Sequence, residues 1–279
     1  MPIISSATNS ADCVGFDLEG VKFIDVLNER KMFSKKHSLL KTVLLSVMAL
    51  SVVLGVNAAE RGYSRPAYDD VPREVYWGDT HVHTRLSADA FSRNGPTLDP
   101  DDAYRFARGE AIASEIGEQV KLRHPLDFLV ITDHGQYLGT VSGIQRGDKE
   151  LLATKKGALW RRYLNDGEVG KIKSDFFKKI AYEEGPSGFP KAVTASIWTS
   201  VGRRADRYNE PGRFTAFIGY EYTSMPNVQN LHRNVIFRDG VERTSQQLPF
   251  TAGDSKDPEE LWAALAAYEE KTGGAVLAI

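Results

Sequence analysis

The segment that decides the fold is a short apolar run ending in an acid and an imidazole, Leu126-Asp127-Phe128-Leu129-Val130-Ile131-Thr132-Asp133-His134. Nearly continuous apolar runs of this length are typical of strands that are buried on both faces, as in parallel sheets. The polar pair at its end has no packing purpose. Because α/β proteins bind ligands beyond the carboxyl ends of parallel strands, the run predicts both a parallel sheet and a site at one edge of it.

Further strands and helices alternate on either side of this run. Strands are predicted at Val75–Asp79, Phe214–Tyr222, Arg233–Phe237 and, as a last buried strand, Ala275–Ile279. Helices are predicted from Asp99, over 149–164, 171–184 and 190–208, and from Asp257 to Gly273. Asp99-Pro100 and Asp257-Pro258 are typical helix starts, because Asp caps free backbone N–H groups and Pro fits the first turn. The alternation indicates an α/β domain with a parallel sheet.

The predicted strands are too few to close a barrel. We count about five, and the chain ends on the apolar run 275–279, which would leave an open sheet edge. The expectation from the sequence is therefore that the chain is the N-terminal fragment of a longer domain.

The first 58 residues have the features of a targeting segment. A basic stretch follows Met32, the apolar run Val43–Val56 comes next, and a small-residue cleavage site ends at Ala58. Residues 1–31 would then precede the true translation start. The apolar run is shorter than the roughly 20 residues that span a membrane, although an uncleaved anchor is the alternative. We expect a periplasmic or secreted protein with no stable membrane span after cleavage, a linker over 59–74 and a hydrolase domain over 75–279.

Charge and cysteine content exclude two classes of chemistry. The net charge of -2 gives no basic excess for tracking phosphates, so no nucleic-acid partner is expected. Cys13 is the only cysteine and lies upstream of the predicted cleavage site. The mature chain would therefore have no cysteine nucleophile and no cysteine-ligated zinc.

Side chains of the metal-ligand type stand at four predicted strand ends: His81 with His83, His134, Glu221 and His232. In an extended segment residues i and i+2 face the same side, so His81 and His83 can approach one ion. A His-x-His pair alone is often a chance occurrence. A buried charge such as Glu221, however, is unfavourable unless it is paired or bound to metal. Together these residues predict a polynuclear site for divalent ions.

The motifs resemble those of the polymerase-and-histidinol-phosphatase (PHP) superfamily. The longer strings resemble one bacterial branch, the domain of unknown function 3604 family (DUF3604), and they are Tyr76–Thr84, Asp101–Ala107, Pro125–His134, Gly219–Ser224 and Asn230–Phe237. The resemblance covers roughly residues 75–279. It implies an α/β fold, an incomplete and distorted (β/α)7 PHP-type barrel whose C-terminal strands are missing here. It also implies two to three divalent ions (Zn, Mn or Fe) in the complete protein.

The resemblance also implies roles for individual residues. His81 and His83 would ligate the first ion, and Glu221 would bridge two ions. His134 and His232 would ligate the second and third ions. Asp89 is the candidate for one further ligand, with a loop cap as the alternative. Gly135-Gln136 departs from the family pattern, which has a small residue followed by Glu. No histidine follows His232, so the chain alone is expected to bind metal poorly and to be inactive.

The expected reaction follows from the ions. Adjacent divalent cations lower the pKa of a bound water and clamp the attacking and leaving oxygens, so the predicted function is phosphoesterase-like hydrolysis. Asp133 would orient a ligand imidazole or accept a proton. Arg85 and Arg233 would hold an anionic small-molecule ester, or only form surface ion pairs. Two alternatives stay open: hydrolysis of another ester or an amide, and a non-catalytic metal-binding domain of the cell envelope.

Overall fold

The central sheet is built around the strand that ends at Asp133 and His134. The computed structural model describes residues 74–88, 98–114 and 116–279. The strands of the sheet, in their spatial order, are β1 (Gly78–Val82), β4 (Phe128–Ile131), β5 (Thr215–Ser224), β6 (Leu231–Phe237) and β7 (Val276–Ala278). A separate antiparallel ribbon consists of β2 (Ile112–Ala113) and β3 (Gln119–Val120). Within the described residues the sheet is open and does not close into a barrel.

The sheet is parallel on one side and antiparallel on the other. β1, β4 and β5 are parallel neighbours, whereas β6 and β7 each run antiparallel to the strand before them. The prediction of a parallel sheet is therefore confirmed for three strands and wrong for two. Only residues 225–230 connect β5 to β6. A parallel pair needs a crossover of about a dozen residues or more, so this connection permits only a hairpin.

Strand β1 begins three residues later than predicted. Val75, Tyr76 and Trp77 are exposed and precede the strand. The pairing starts at Gly78, opposite Phe128, whose ring fills the space that a side chain on Gly78 would need. As a result, His81 lies inside the strand and His83 immediately after it.

The helices lie mostly where the sequence predicts them: α1 (Pro100–Ala107), α2 (Thr140–Arg146), α3 (Lys149–Leu152), α4 (Lys155–Asn165), α5 (Val169–Ala181), α6 (Lys191–Tyr208), α7 (Val241–Thr244) and α8 (Pro258–Thr272). Asp99 and Asp257 cap α1 and α8 as predicted. The helix predicted over 149–164 is divided, because the Thr154 hydroxyl accepts from the backbone N–H of Gly157 and starts a new helix. The short helices α2 and α7 were not predicted.

Two hydrophobic clusters support this arrangement. The larger packs the sheet against α1, α6 and α8, and includes Ile131, Trp198, Tyr220 and Leu261. The second lies among α2–α5 and the start of α6. The prediction that the last strand is buried is wrong, since β7 lies at the edge of the described sheet and Leu277 is exposed.

Several predictions fall outside the described residues. These concern the signal segment and most of the linker (residues 1–73) and the candidate ligand Asp89. Among the residues that are described, no helix is both long and apolar enough to cross a membrane.

Candidate metal centre

The predicted ligands meet at one edge of the sheet. His81 and His83 come from the end of β1, and His134 follows β4. Glu221 lies on β5, beside His134 through an isolated parallel bridge. His232 lies at the start of β6, and because β6 is antiparallel, its start reaches the edge where the other strands end.

Glu221 is the centre of the cluster. Its Oε2 atom lies 2.9 Å from His83 Nε2 and 3.4 Å from His81 Nε2. The same oxygen lies 3.2 Å from His134 Nδ1, while Oε1 contacts His232 Nδ1. Two groups of three potential ligand atoms result, one with His81 and His83 and the other with His134 and His232. Within each group the atoms lie within 4.8 Å of one another, and Glu221 belongs to both.

The surroundings of Glu221 favour the charged form of its carboxylate, although its side chain is only 1% exposed. Burial acts to raise its pKa, because a charge is poorly solvated there. The imidazoles of His232 and His83, together with His134, act in the opposite direction. Their effect is larger, so the pKa of Glu221 lies below its ordinary value.

Buried hydroxyl groups contact the imidazoles of the cluster. Ser87 Oγ lies 2.8 Å from His83 Nδ1, which leaves His83 Nε2 facing Glu221. Thr223 Oγ1 lies 2.8 Å from His134 Nδ1 and 3.1 Å from His232 Nδ1. A hydroxyl has one proton and two lone pairs, so Thr223 can donate to one ring while it accepts from the other. A partner on the nitrogen that faces away from the ligand centre sets the tautomer and orientation of a metal-binding histidine, as Ser87 does for His83. Thr223 instead contacts the same Nδ1 atoms that face Glu221.

Asp133 is buried beside the cluster and holds the turn that carries His83. Its carboxylate accepts from the Thr84 backbone N–H at 2.5 Å and from the Thr84 hydroxyl at 2.7 Å. Burial raises the pKa of Asp133 to about 6, even though the Thr84 hydrogen bonds act to lower it. Asp133 therefore acts on His83 through the backbone of Thr84, and its predicted role as a proton acceptor stays a prediction.

The donor set fits a divalent metal ion. Neither carboxylate oxygen of Glu221 receives a well-aligned hydrogen bond from the described residues, although imidazole nitrogens surround both. A buried carboxylate without aligned donors is unfavourable unless a cation compensates it. Two imidazole nitrogens and one carboxylate oxygen form a ligand set typical of Zn²⁺ and similar ions. The cluster could therefore hold metal.

The structure thus brings together five of the predicted metal ligands with Asp133 beside them, while the two predicted arginines make contacts outside the cluster. Arg85 forms an ion pair with Asp99 at 3.2 Å. Arg233 donates to the backbone carbonyl of His232 at 2.7 Å. Sequence reasoning did not identify the hydroxyl partners Ser87 and Thr223. Thr223 could have been found from its position two residues after Glu221, because residues i and i+2 of a strand lie on the same face.

Comparison with known proteins gives a family and no activity. Residues 70–279 match the family described as "Protein of unknown function (DUF3604)". No curated protein and no solved structure matches the chain.

Proposed function

The chain belongs to the DUF3604 family, and from the geometry of its site we propose that it is a metal-dependent hydrolase acting on anionic phosphate esters. One observation carries the proposal: the buried carboxylate of Glu221 is shared by two histidine pairs, His81 with His83 and His134 with His232. This arrangement suits adjacent divalent ions, which is the requirement for two-metal hydrolysis.

The chain's own residues would hold and orient this centre. Glu221 would keep the two ligand groups together, because both depend on its carboxylate. Ser87 would keep the ring of His83 turned toward it. Bound divalent ions would supply a water of lowered pKa and positive charge for an anionic transition state.

The choice of phosphate esters rests on the resemblance of the motifs to the PHP superfamily, whose members mostly hydrolyse such bonds. The parallel unit β1-β4-β5, with ligands at its carboxyl ends, is consistent with a PHP-type (β/α)7 barrel. Arg233, next to His232, offers a cation for the substrate anion. The basic and apolar segment that follows Met32 supports export to the periplasm or beyond the cell.

The test measures metal content and hydrolysis on the same preparations. The protein is expressed at the full length that its gene encodes, loaded with Zn²⁺, Mn²⁺ or Fe²⁺, and assayed with chromogenic phosphate, phosphonate, sulfate and acyl esters. His83→Ala should lose the ion of its own ligand group and, with it, turnover. His124→Ala is the matched control, because His124 is exposed and belongs to neither ligand group.

Each outcome has a distinct meaning. Metal-dependent turnover of phosphate esters that His83→Ala abolishes and His124→Ala retains would support the proposal. Turnover of acyl or sulfate esters alone would keep the metal centre and reject the phosphate assignment. Stoichiometric metal without any turnover would reject the hydrolase and leave a metal-binding protein. A folded protein that binds no metal would reject both.

A further inference from the structure

A second group of polar residues surrounds a small cavity outside the metal centre. The cavity has a volume of about 180 Å³ and lies where α2 packs against α6. Its polar lining consists of Arg146, Arg204, Ser196 and Ser200. Leu86 and Ile197 form the apolar part of the lining.

The cavity exists because two helices approach closely at a glycine. Gly139 precedes α2 with a φ of +64°, a conformation that side chains other than glycine rarely adopt. A Cβ at Gly139 would lie 2.8 Å from Cγ2 of Ile197 on α6. On α6, Ser196, Ser200 and Arg204 are spaced i, i+4 and i+8, so they share one face of the helix and point toward the same cavity.

The described residues that line this cavity include two arginines and no carboxylate. Arg204 Nε is paired with Asp101 at 3.0 Å, and Arg85, in the turn next to Leu86, is paired with Asp99. Within residues 74–88, 98–114 and 116–279, no carboxylate lies at ion-pair distance from Arg146. Asp148, the remaining acid near Arg146, accepts from the backbone N–H groups of Glu150 and Leu151 at the start of α3.

The three guanidinium groups are close enough to affect one another. Burial lowers the pKa of Arg146, and the charges of Arg85 and Arg204 lower it further, while Asp148 and Asp99 oppose them. In addition, Arg85 Nε is buried and has no hydrogen-bond partner among the described residues. An anion in the cavity would relieve the repulsion on Arg146 and provide acceptors for the donors that line the cavity.

We propose that this cavity is a binding site for a tetrahedral oxyanion, either free phosphate or the phosphate group of a small organic ester. Planar guanidinium forks and hydroxyl donors converging on one small volume suit such a ligand, because its several oxygens can accept all of them. The site needs no metal, so this proposal goes beyond the proposed hydrolase function and is tested independently of it.

The test uses isothermal titration of the chelator-treated protein, so that the metal centre does not contribute. The probes are inorganic phosphate, phenylphosphonate, acetate and chloride at constant ionic strength. Arg146→Gln removes the unpaired guanidinium. Arg203→Gln is the matched control, because Arg203 precedes Arg204 on the same helix, is exposed and does not line the cavity. The thermal midpoint of each variant without ligand shows that it is folded.

We expect saturable phosphate binding with a Kd of about 1 mM or tighter. Arg146→Gln should weaken it by about 10-fold or more, since a hydrogen bond to a charged group is lost. Arg203→Gln should bind as wild type does. A clearly tighter Kd for phenylphosphonate would identify an organic phosphate as the ligand, and a similar or weaker one would identify free phosphate.

Three results would overturn the proposal. One is the absence of saturable phosphate binding to the wild-type protein. Another is an equal loss in Arg146→Gln and Arg203→Gln, which would indicate unspecific attraction to a basic surface. The last is acetate or chloride binding as tightly as phosphate. A double variant, Ser196→Ala with Ser200→Ala, removes hydroxyl donors without changing charge, and it should weaken phosphate binding while it leaves folding intact.

Discussion

Replacing Glu221 by glutamine tests whether one carboxylate serves both ligand groups. The substitution keeps the shape of the side chain and removes its charge. Each group then keeps two imidazoles and loses its only carboxylate. Losing even an outer hydrogen-bonding partner of a metal ligand weakens metal binding by about 10- to 100-fold. We therefore expect at least about a 100-fold increase in Kd for every ion bound, or about 2.8 kcal/mol each.

The matched variants are His81→Ala and His232→Ala, which each remove one imidazole from a single group. Both rings are substantially exposed, at 53% for His81 and 40% for His232. Each of these variants should lose the ion of its own group and keep the other. Glu221→Gln should lose all bound metal. The assay combines elemental analysis after dialysis with a chelator-competition titration for each metal.

The decisive comparison is stoichiometry. If Glu221→Gln kept as much metal as His232→Ala, the carboxylate would serve one group only, and the shared-ligand geometry would be refuted. If all three variants bound metal as the wild type does, the cluster would not be the metal site. The thermal midpoint of the metal-free variants must stay close to that of the wild type for either conclusion to hold.

Three further predictions follow from individual contacts. Ser87→Ala should weaken metal binding by about 10- to 100-fold, because the Ser87 hydroxyl holds Nδ1 of His83 and leaves Nε2 facing Glu221. An unchanged Kd in the chelator-competition titration would contradict this role of the hydroxyl. Gly219→Ala should lower the free energy of unfolding by about 2 kcal/mol, since a Cβ would lie 2.7 Å from the carbonyl oxygen of Val235; an unchanged midpoint in urea would contradict this. Asp239→Asn should lower the free energy of unfolding by about 1–2 kcal/mol above about pH 5. Burial acts to raise the pKa of Asp239, but hydrogen bonds, the strongest of them from the Ala275 backbone N–H, hold it below its ordinary value. The carboxylate therefore stabilises the fold above the unfolded pKa of about 3.9. This contribution is lost as the pH falls through the lower pKa of the folded state. Urea unfolding of both proteins at several pH values measures this difference in the free energy of unfolding. A difference that stayed the same in strong acid would contradict the stabilising role of the Asp239 carboxylate.

The ligands could be predicted from sequence because strand ends impose simple geometry. Glu221 was recognisable as a charge within an apolar strand, and His134 as an imidazole at the end of another. Both predictions need only the period-2 alternation of a strand and the convergence of strand ends at one edge of a sheet. The antiparallel direction of β6 was also predictable in principle, because the connection formed by residues 225–230 is too short for a crossover.

The surroundings of the ligands could not be predicted in the same way. Ser87 reaches His83 only because its backbone N–H turns back to the carbonyl of Thr84. The cavity between α2 and α6 brings together Arg146 and Arg204, which are distant in sequence. Hydroxyl and guanidinium groups have many uses on a protein surface, so their sequence pattern carries little information until tertiary packing places them.

Backbone pairing and burial distinguish the two sides of the centre. The N–H of Glu221 donates to the carbonyl of Asp133, and its own carbonyl accepts from Gly135, so this residue is bonded to the extension of β4 on both sides. His134 is held within the same pairing and is buried. His81 and His232, by contrast, are the exposed rings. Solvent therefore reaches the centre from their side. In the proposed hydrolase an anionic ester would enter from that side, where exposed imidazoles and not the buried carboxylate face the solvent.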